Sequence, residues 1–355
     1  MNTRAKRLAI PLGGAVAASA LLGASLSTTA EAAPDRKTRV LAASQSKAKA
    51  VAGRWTSARL KSATRYTSGA AASGKFKVSK KASADGGAGR IGPTSQSAPS
   101  GGRSKNVNLP RTIGRVFFEV GGKAYYCSAT SVHGQFRNLV ATAGHCVYNT
   151  EANRPVDNFV FIPGYYQGKA PWGIYVGAQY HTHYDFDVYE DYDRDYAFVN
   201  VYNGVKREGN KWVDIGRLGD NVGGQGFAWN QPIGKKSFVF GYPTGSHPDG
   251  DRPYTGETPK FCYGQTYAGP AVPEFKVEEH VAIKCAFTPG SSGGPFLLQY
   301  SSAKRTGYLN GVVSLVIDSD GNQRFDRTTT PYFDGETASI YKYASNRWTG
   351  SLLRR

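Results

Sequence analysis

The sequence FTPGSSGGPF, residues 287–296, holds a serine followed by two glycines, which is typical of a loop that presents a nucleophile. The hydroxyl of Ser292 would stand clear of the neighbouring strands. The backbone N–H groups of Gly290 and Ser292 would converge on one point and bind a developing oxyanion. Gly293 and Gly294 would let a substrate approach the backbone closely. A Gly/Ser-rich turn is commonly only a turn, so this interpretation requires a base and a carboxylate elsewhere in the chain.

The sequence LVATAGHCV, residues 139–147, supplies a candidate base. An apolar strand runs into His145, beside Cys146, and an imidazole fixed there could accept a serine proton near neutral pH. The other five histidines lack such a setting and are predicted to lie on the surface or in loops: His133, His181, His183, His247 and His280.

The sequence DRDYAFVNV, residues 193–201, supplies a candidate carboxylate. Asp195 directly precedes an apolar strand, where it could be buried against the imidazole and hold its tautomer. Further acids crowd the same loop: Asp185, Asp187, Glu190, Asp191 and Asp193. A metal site is conceivable there, but a solvated acidic loop is the simpler interpretation.

The motifs TAGHC, DYAFV and GSSGGP occur in the order His, Asp, Ser and resemble those of chymotrypsin/trypsin-like serine endopeptidases. The resemblance covers residues 111–346 and is greatest to secreted bacterial members of the glutamyl-endopeptidase type. It implies an all-β fold of two perpendicular six-stranded antiparallel barrels, with His145 and Asp195 from the first barrel and Ser292 from the second. It also implies hydrolysis of protein or peptide substrates through an acyl-enzyme, with Gly290 and Ser292 as the oxyanion hole and no cofactor or metal.

The resemblance further indicates how a substrate would bind. Residues 314–316 would pair with the substrate backbone as an added strand, and Ser314 would support the buried aspartate. The pocket for the side chain before the scissile bond would be lined by these residues: Ala286, Phe287, Val313, Ser314, Leu315 and Val316.

This pocket departs from the family pattern. Ala286 stands where trypsin has a carboxylate, Val313 where glutamyl endopeptidases have a histidine, and Val316 in place of a common wall glycine. An unpaired charge in such a pocket would be costly, so a small or medium apolar residue is expected there. Ser291 replaces the aspartate that pairs with the new N-terminus of trypsin, so that zymogen switch is not expected.

Short apolar or alternating runs predict strands in two series. The first series is 114–120, 123–130, 138–142, 159–163, 173–180 and 196–201, and the second is 236–242, 260–267, 280–287, 296–300 and 308–317. The glycine-rich stretch 216–234 lies between them and could join two halves. A C-terminal helix is predicted over 336–346.

The four cysteines are predicted to form disulfides, because their number is even and no C-x-x-C pair occurs. Three connectivities are possible. We favour Cys127 with Cys146 and Cys262 with Cys285, since each pair brackets strand-like sequence that could fold back as a hairpin. The first pair also matches the family bridge beside the histidine.

The first 110 residues differ in composition from the rest. Residues 1–32 have a basic start, an apolar run and an A-x-A site, which predict a cleaved signal peptide and secretion. Residues 33–110 hold 16 of the 44 Lys and Arg residues but 2 of the 26 acids, so residues 111–355 are nearly neutral. We therefore expect no nucleic-acid binding by the folded domain and no membrane contact after signal removal.

Residues 33–110 are rich in Ala, Ser, Gly and Lys and are predicted to be disordered or loosely folded, because alone they could bury little apolar surface. The segment could be a propeptide, a linker or a tether to anionic envelope polymers. The protease domain would span 111–355 and be monomeric.

Two alternatives remain open from sequence. The acids of DSDGNQRFD, residues 318–326, loosely resemble a calcium loop, although a hairpin turn at Asp320–Gly321 is simpler. The whole domain could instead be a non-catalytic protease-fold module that binds cell-surface polymers, or the chain a basic nucleic-acid or envelope-binding protein if the segment 33–110 stays attached.

Overall fold

The computed structural model describes residues 36–67, 71–95 and 109–353, all within one compact unit that spans 34–355. The predicted signal peptide lies outside the described residues. The N-terminal segment contains β1 (Arg36–Val40), α1 (Gln45–Arg54), α2 (Ser57–Ser62), β2 (Thr64–Arg65), β3 (Ala71–Ser73) and β4 (Gly89–Ile91). No helix in these three ranges is long and apolar enough to cross a membrane.

The first half of the domain is a closed antiparallel barrel. Its elements are β5 (Ile113–Val120), β6 (Lys123–Val132), β7 (Leu139–Thr142), β8 (Tyr148–Asn149), β9 (Arg154–Pro155), β10 (Asp157–Pro163), β11 (Tyr175–His183), α3 (Tyr184–Tyr189) and β12 (Ala197–Val201). Six strands pair in the cyclic order β5, β6, β7, β12, β11, β10. Buried β-branched and aromatic residues fill the interior, as suits strands.

The second half consists of a two-stranded hairpin, two larger sheets and two helices. Its elements are β13 (Gly204–Glu208), β14 (Lys211–Gly216), α4 (Leu218–Val222), β15 (Gly226–Trp229), β16 (Lys236–Gly241), β17 (Lys260–Gln265), β18 (Tyr267–Ala268), β19 (Val281–Lys284), β20 (Pro295–Ser301), β21 (Thr306–Val312), β22 (Val316–Asp318), β23 (Arg327–Thr330) and α5 (Gly335–Ser345). One sheet has the order β17-β16-β20-β21-β15-β4 and the other β18-β19-β23-β22-β3.

The predicted all-β, chymotrypsin-like fold with a C-terminal helix is confirmed, and the first of the two expected six-stranded barrels is closed. The second half pairs instead as one six-stranded and one five-stranded sheet, whose edges include β4 and β3 of the N-terminal segment. Helix α5 begins at a capping box made by Asp334 and Thr337, and it buries Ala338, Tyr341 and Ala344 as the periodicity indicated. Sequence missed the hairpin β13–β14. It also interpreted 216–234 as a joining stretch, whereas β15 within it belongs to the six-stranded sheet of the second half.

The predicted disorder of residues 33–110 is wrong for the described part of this segment. Strand β1 pairs with β11 over five residues, and β4 pairs with β15. Trp55, Leu60 and Tyr66 are buried. The prediction considered what the segment could bury by itself, but the segment uses the apolar surface and free strand edges of the domain.

Candidate active site

His145 lies in a single helical turn, Gly144–Cys146, directly after β7. The disulfide between Cys127 and Cys146 joins this turn to β6, as predicted. The side chain of His145 is 2% exposed, and its Nε2 atom has no hydrogen-bond partner among the described residues. This nitrogen is therefore available to accept a proton from a group placed beside it.

Asp195 is fully buried and holds the imidazole by two contacts. Its Oδ1 accepts the backbone N–H of His145 at 2.8 Å, and its Oδ2 lies 2.8 Å from Nδ1 of the same residue. Ser314 donates its hydroxyl to Oδ2 at 2.6 Å. Burial alone would raise the pKa of Asp195, but the charge and hydrogen bonds of His145, with the bond from Ser314, bring this pKa below its ordinary value.

The other acids of this loop have structural partners. Asp187 pairs with Arg39 of the N-terminal segment at 3.1 Å. Asp193 accepts the backbone N–H groups of Glu278 and Glu279. Both side chains are buried, so the expectation of a solvated acidic loop is wrong for Asp187 and Asp193, which instead hold neighbouring segments.

Ser292 lies on a loop that packs against the histidine turn. Its carbonyl accepts the N–H of Ser128 at 2.8 Å. Gly293 has φ +79°, and a Cβ there would overlap Thr142 Oγ1 and lie 2.9 Å from the backbone nitrogen of Ala143. Only glycine fits this position, and the close approach brings the loop against the residues just before His145.

The oxyanion donors predicted from sequence have free N–H groups. Neither Gly290 nor Ser292 donates a backbone hydrogen bond within the three described ranges. Gly290 has φ +105°, and its carbonyl accepts a hydrogen bond from the hydroxyl of Ser128 at 2.9 Å. Ser291 turns away, with its hydroxyl on the carbonyl of Thr288.

Ser128 is a residue that sequence reasoning missed. It is fully buried, donates its hydroxyl to Gly290 and accepts the N–H of Tyr242 at 2.8 Å. Its backbone N–H also contacts the carbonyl of Ser292. The one available signal was its position directly after Cys127.

Two tyrosines flank the imidazole, and neither was anticipated. The rings of Tyr192 and Tyr66 lie nearly parallel to that of His145, with centroids 6.1 and 6.4 Å away. Tyr66 comes from the N-terminal segment, which places part of that segment over the site.

The predicted substrate pocket is only partly assembled. Phe287, Val313 and Val316 share one buried apolar cluster, and Leu315 is buried in an adjoining one. Ala286 is exposed instead, because the chain turns outward between the disulfide at Cys285 and the buried ring of Phe287. The prediction that Ala286 lines the pocket beside the others is therefore not supported by its burial.

The acidic loop 318–326 is a hairpin turn between β22 and β23, as the simpler interpretation held. Asp318 accepts the N–H groups of Gly321 and Gln323, and Asp326 accepts that of Ser319. Elsewhere in the described ranges, the grouping of potential metal ligands is Cys127, His145 and Cys146. Their two sulfurs are bonded to each other, so this grouping cannot hold a metal.

Of the remaining histidines, His133, His247 and His280 lie in loops as expected, whereas His181 and His183 lie in β11 and are buried, contrary to expectation. His181, His183, His247 and His280 are buried, and only His133 is partly exposed. His280 contacts the carbonyl of Tyr192 through Nε2 at 2.7 Å and Thr329 through Nδ1 at 2.9 Å. Burial lowers the pKa of His280, which suits a neutral structural role. The second disulfide joins Cys262 and Cys285, as predicted.

Comparison with known proteins gives consistent results. The family model described as Trypsin matches residues 101–333. The crystal structure of the protease Anisep from Arthrobacter nicotinovorans has 29% identity and a TM-score of 0.54, covering 68% of this chain and 98% of its own. A thermostable serine protease, AL20, from an extremophilic microorganism has 27% identity and a TM-score of 0.55, covering 67% and 98%.

A third structure, a Glu endopeptidase in complex with MPD, has 16% identity and a TM-score of 0.49, covering 72% of this chain and 98% of its own. At that similarity it does not decide the branch. No curated protein sequence matches significantly.

Proposed function

Since the chain belongs to the trypsin family and is a serine endopeptidase, we propose that it cleaves peptide bonds with Ser292 as nucleophile, His145 as base and Asp195 as orienting acid. One observation carries the proposal. A buried carboxylate holds His145 by both its backbone and its ring, and Nε2 has no hydrogen-bond partner among the described residues, while the loop of Ser292 packs against the residues just before His145.

The reaction proceeds through an acyl-enzyme. Ser292 Oγ attacks the scissile carbonyl carbon while its proton passes to His145 Nε2, and the N–H groups of Gly290 and Ser292 bind the oxyanion. The C–N bond then breaks as that proton passes to the amine nitrogen. Water then attacks the ester carbonyl carbon while His145 takes one of its protons, and that proton passes to Ser292 Oγ as the ester C–O bond breaks and the carboxylic acid product leaves.

Asp195 stays ionised throughout. Its hydrogen bonds fix the Nδ1–H tautomer, so that Nε2 carries the lone pair, and its charge stabilises the imidazolium. The hydrogen bond from Ser314 adds to the stabilisation of the carboxylate.

The substrate preference follows from the apolar lining. Phe287, Val313 and Val316 offer no charged partner, so the residue before the scissile bond is small or medium and apolar. Secretion with a cleaved leader fits the two disulfides, which form in oxidising compartments.

The test is labelling of the matured secreted protein with a fluorophosphonate probe, followed by mass spectrometry of the labelled peptide. Ser292→Ala should abolish labelling and reduce peptide hydrolysis by roughly 10⁴–10⁶-fold, while the thermal unfolding midpoint stays within a few degrees. Ser291→Ala, which changes the adjacent serine, is the matched control and should still be labelled. Hydrolysis that persists in Ser292→Ala would exclude this nucleophile.

A further inference from the structure

The N-terminal segment is firmly attached to the domain near the candidate site. Glu119 of β5, 3% exposed, receives two hydrogen bonds from Arg54, at 3.0 and 3.1 Å, and one from Arg59 at 2.6 Å. Trp55 is buried and donates its ring N–H to the carbonyl of Asn158 at 2.7 Å. These contacts fix the chain just before it reaches the catalytic residues.

From there the segment crosses onto the histidine. Strand β2 pairs in parallel with β6 at Tyr125 and Tyr126, immediately before the disulfide beside His145. The N–H of Tyr66 donates to the carbonyl of Tyr126 at 3.0 Å, and the Tyr66 ring packs edge-on against Tyr125 and covers one face of His145. The side chain of Arg65 lies against Gly245, because a Cβ added to that glycine would lie 2.9 Å from the Arg65 Nε.

Beyond the site, the segment occupies the strand edge expected for the substrate. Strand β3 pairs in parallel with β22, and Ala71 lies opposite Val316. Ala71 packs against the apolar cluster that contains Phe287, Val313 and Val316. Because β22 pairs with β23 on its other side, β3 fills the one edge that a substrate strand could join.

The direction of this segment is opposite to that of a cleavable substrate. Val313 is already paired with Gly293 and Gly294, so the free edge begins after Ser314 and runs away from the site toward Asp318. A substrate with its acyl half on this edge must run toward Ser314, antiparallel to β22. The segment runs parallel to β22, with Tyr66 on the histidine side and Ala71 on the pocket side.

The reversed direction explains how the segment could occupy the cleft without being cleaved. In a productive complex the acyl half lies in the pocket and the leaving amine lies near His145, which protonates it. In the reversed segment, the residues on the N-terminal side lie at His145 and those on the C-terminal side lie along β22. A leaving amine would then depart toward the pocket, away from its proton donor.

We propose that residues 64–67 and 71–73 form a built-in inhibitor, which fills the cleft in the reverse direction and covers His145 with Tyr66. The proposal rests on the catalytic roles given above and names the regulation of that same site. The full chain is an inactive precursor, and activity requires that this segment leave the cleft after cleavage elsewhere.

The direction of the segment can be tested without any catalytic activity. In full chains that carry Ser292→Ala, the pair Ala71→Cys and Val316→Cys should form a disulfide, because these residues are direct neighbours in the parallel register. The matched pair Ala71→Cys and Asp318→Cys, which an antiparallel strand would bring together, should stay reduced. Efficient cross-linking of the second pair and not the first would overturn the proposal.

Inhibition is tested by the rate of fluorophosphonate labelling of the full chain. Tyr66→Ala should raise this rate at least tenfold, and so should Ala71→Asp, which places a charge against the apolar cluster. Val78→Ala, which truncates a side chain of the same segment that is 78% exposed, is the matched control and should label like the unmodified chain.

The outcomes separate the two proposals. If the unmodified full chain labels as fast as both released variants and the trimmed enzyme, the segment is not an inhibitor, although the triad stands. If no form labels, including chain trimmed by an added protease, the catalytic assignment fails and the inhibitor role fails with it.

Discussion

The hydroxyl of Ser128 positions the oxyanion loop, and its removal should slow catalysis more than its distance from the substrate would suggest. It bridges the carbonyl of Gly290, at 2.9 Å, and the N–H of Tyr242, at 2.8 Å, in a fully buried site. The bond to the carbonyl of Gly290 therefore helps to fix the peptide that follows Gly290, together with the bond from the Ser128 N–H to the carbonyl of Ser292.

The size of the effect follows from these two bonds. Ser128→Ala leaves one buried acceptor and one buried donor unsatisfied, and each costs about 1–3 kcal/mol. At roughly 1.4 kcal/mol per tenfold change, a loop destabilised by about 2 kcal/mol in its active form would populate that form roughly 30-fold less. We therefore expect kcat to fall roughly 30-fold, which is less than the cost of about 10²–10³-fold for losing one oxyanion donor outright.

The assay uses the matured enzyme and compares Ser128→Ala with the unmodified protein. It measures kcat, KM and the affinity of a peptide boronate, whose tetrahedral adduct reports on the oxyanion hole. The boronate affinity should fall in parallel with kcat/KM while KM changes little. Ser131→Ala is the matched control, because Ser131 is a buried serine of the same strand whose hydroxyl bonds Gly223 at 2.7 Å, away from the site. If both variants lose stability and neither loses kcat by more than twofold, Ser128 has no positioning role.

Three further changes test other contacts. Ser314→Ala removes a donor that lowers the pKa of Asp195, so kcat should fall roughly tenfold and the loss of activity in acid, measured as a pH–rate profile, should shift to higher pH. A pH–rate profile that does not shift would contradict the role of Ser314 in stabilising the Asp195 carboxylate. Burial opposes ionisation of Glu119, but its arginine and asparagine partners lower its pKa overall, so its attraction for the segment is complete above the usual value of about 4.3 and is lost as the pH falls below it. Limited proteolysis of the full chain should therefore release the segment faster in acid, and Glu119→Gln should release it at neutral pH; equal rates would contradict the anchoring. Val316→Gly should widen the pocket and shift the preferred residue before the scissile bond toward larger apolar side chains in a peptide library, and an unchanged profile would place the pocket elsewhere.

The sequence predicted what short motifs and periodicity encode. The chain order of His145, Asp195 and Ser292 led to the fold, and strand alternation located most barrel strands within a few residues. The disulfide pairing followed from hairpin-like spacing. These features are local, or they depend on motifs whose partners have characteristic sequences.

What the sequence could not predict depends on contacts between distant segments. The bridge through Ser128 joins residues 162 apart and leaves no local pattern. The N-terminal segment has a composition that predicts disorder in isolation, and its order depends on strand edges and apolar surface that belong to the barrel. Ala286 is exposed because of the path that the chain takes after the disulfide at Cys285. The number of residues between Ala286 and Ser292 does not determine that path.

Strand β6 has a consequence for the timing of activation. Three consecutive residues of β6 contact three different parts of the site. Tyr126 bonds the N-terminal segment, Cys127 forms the disulfide to the histidine turn, and Ser128 bonds the loop of Ser292. Departure of the segment would break only the first of these contacts. The contacts of Cys127 and Ser128 do not involve the segment, so under the proposed inhibitor role activity should appear with no lag once the cleft is vacated, at a rate set by dissociation of the segment alone.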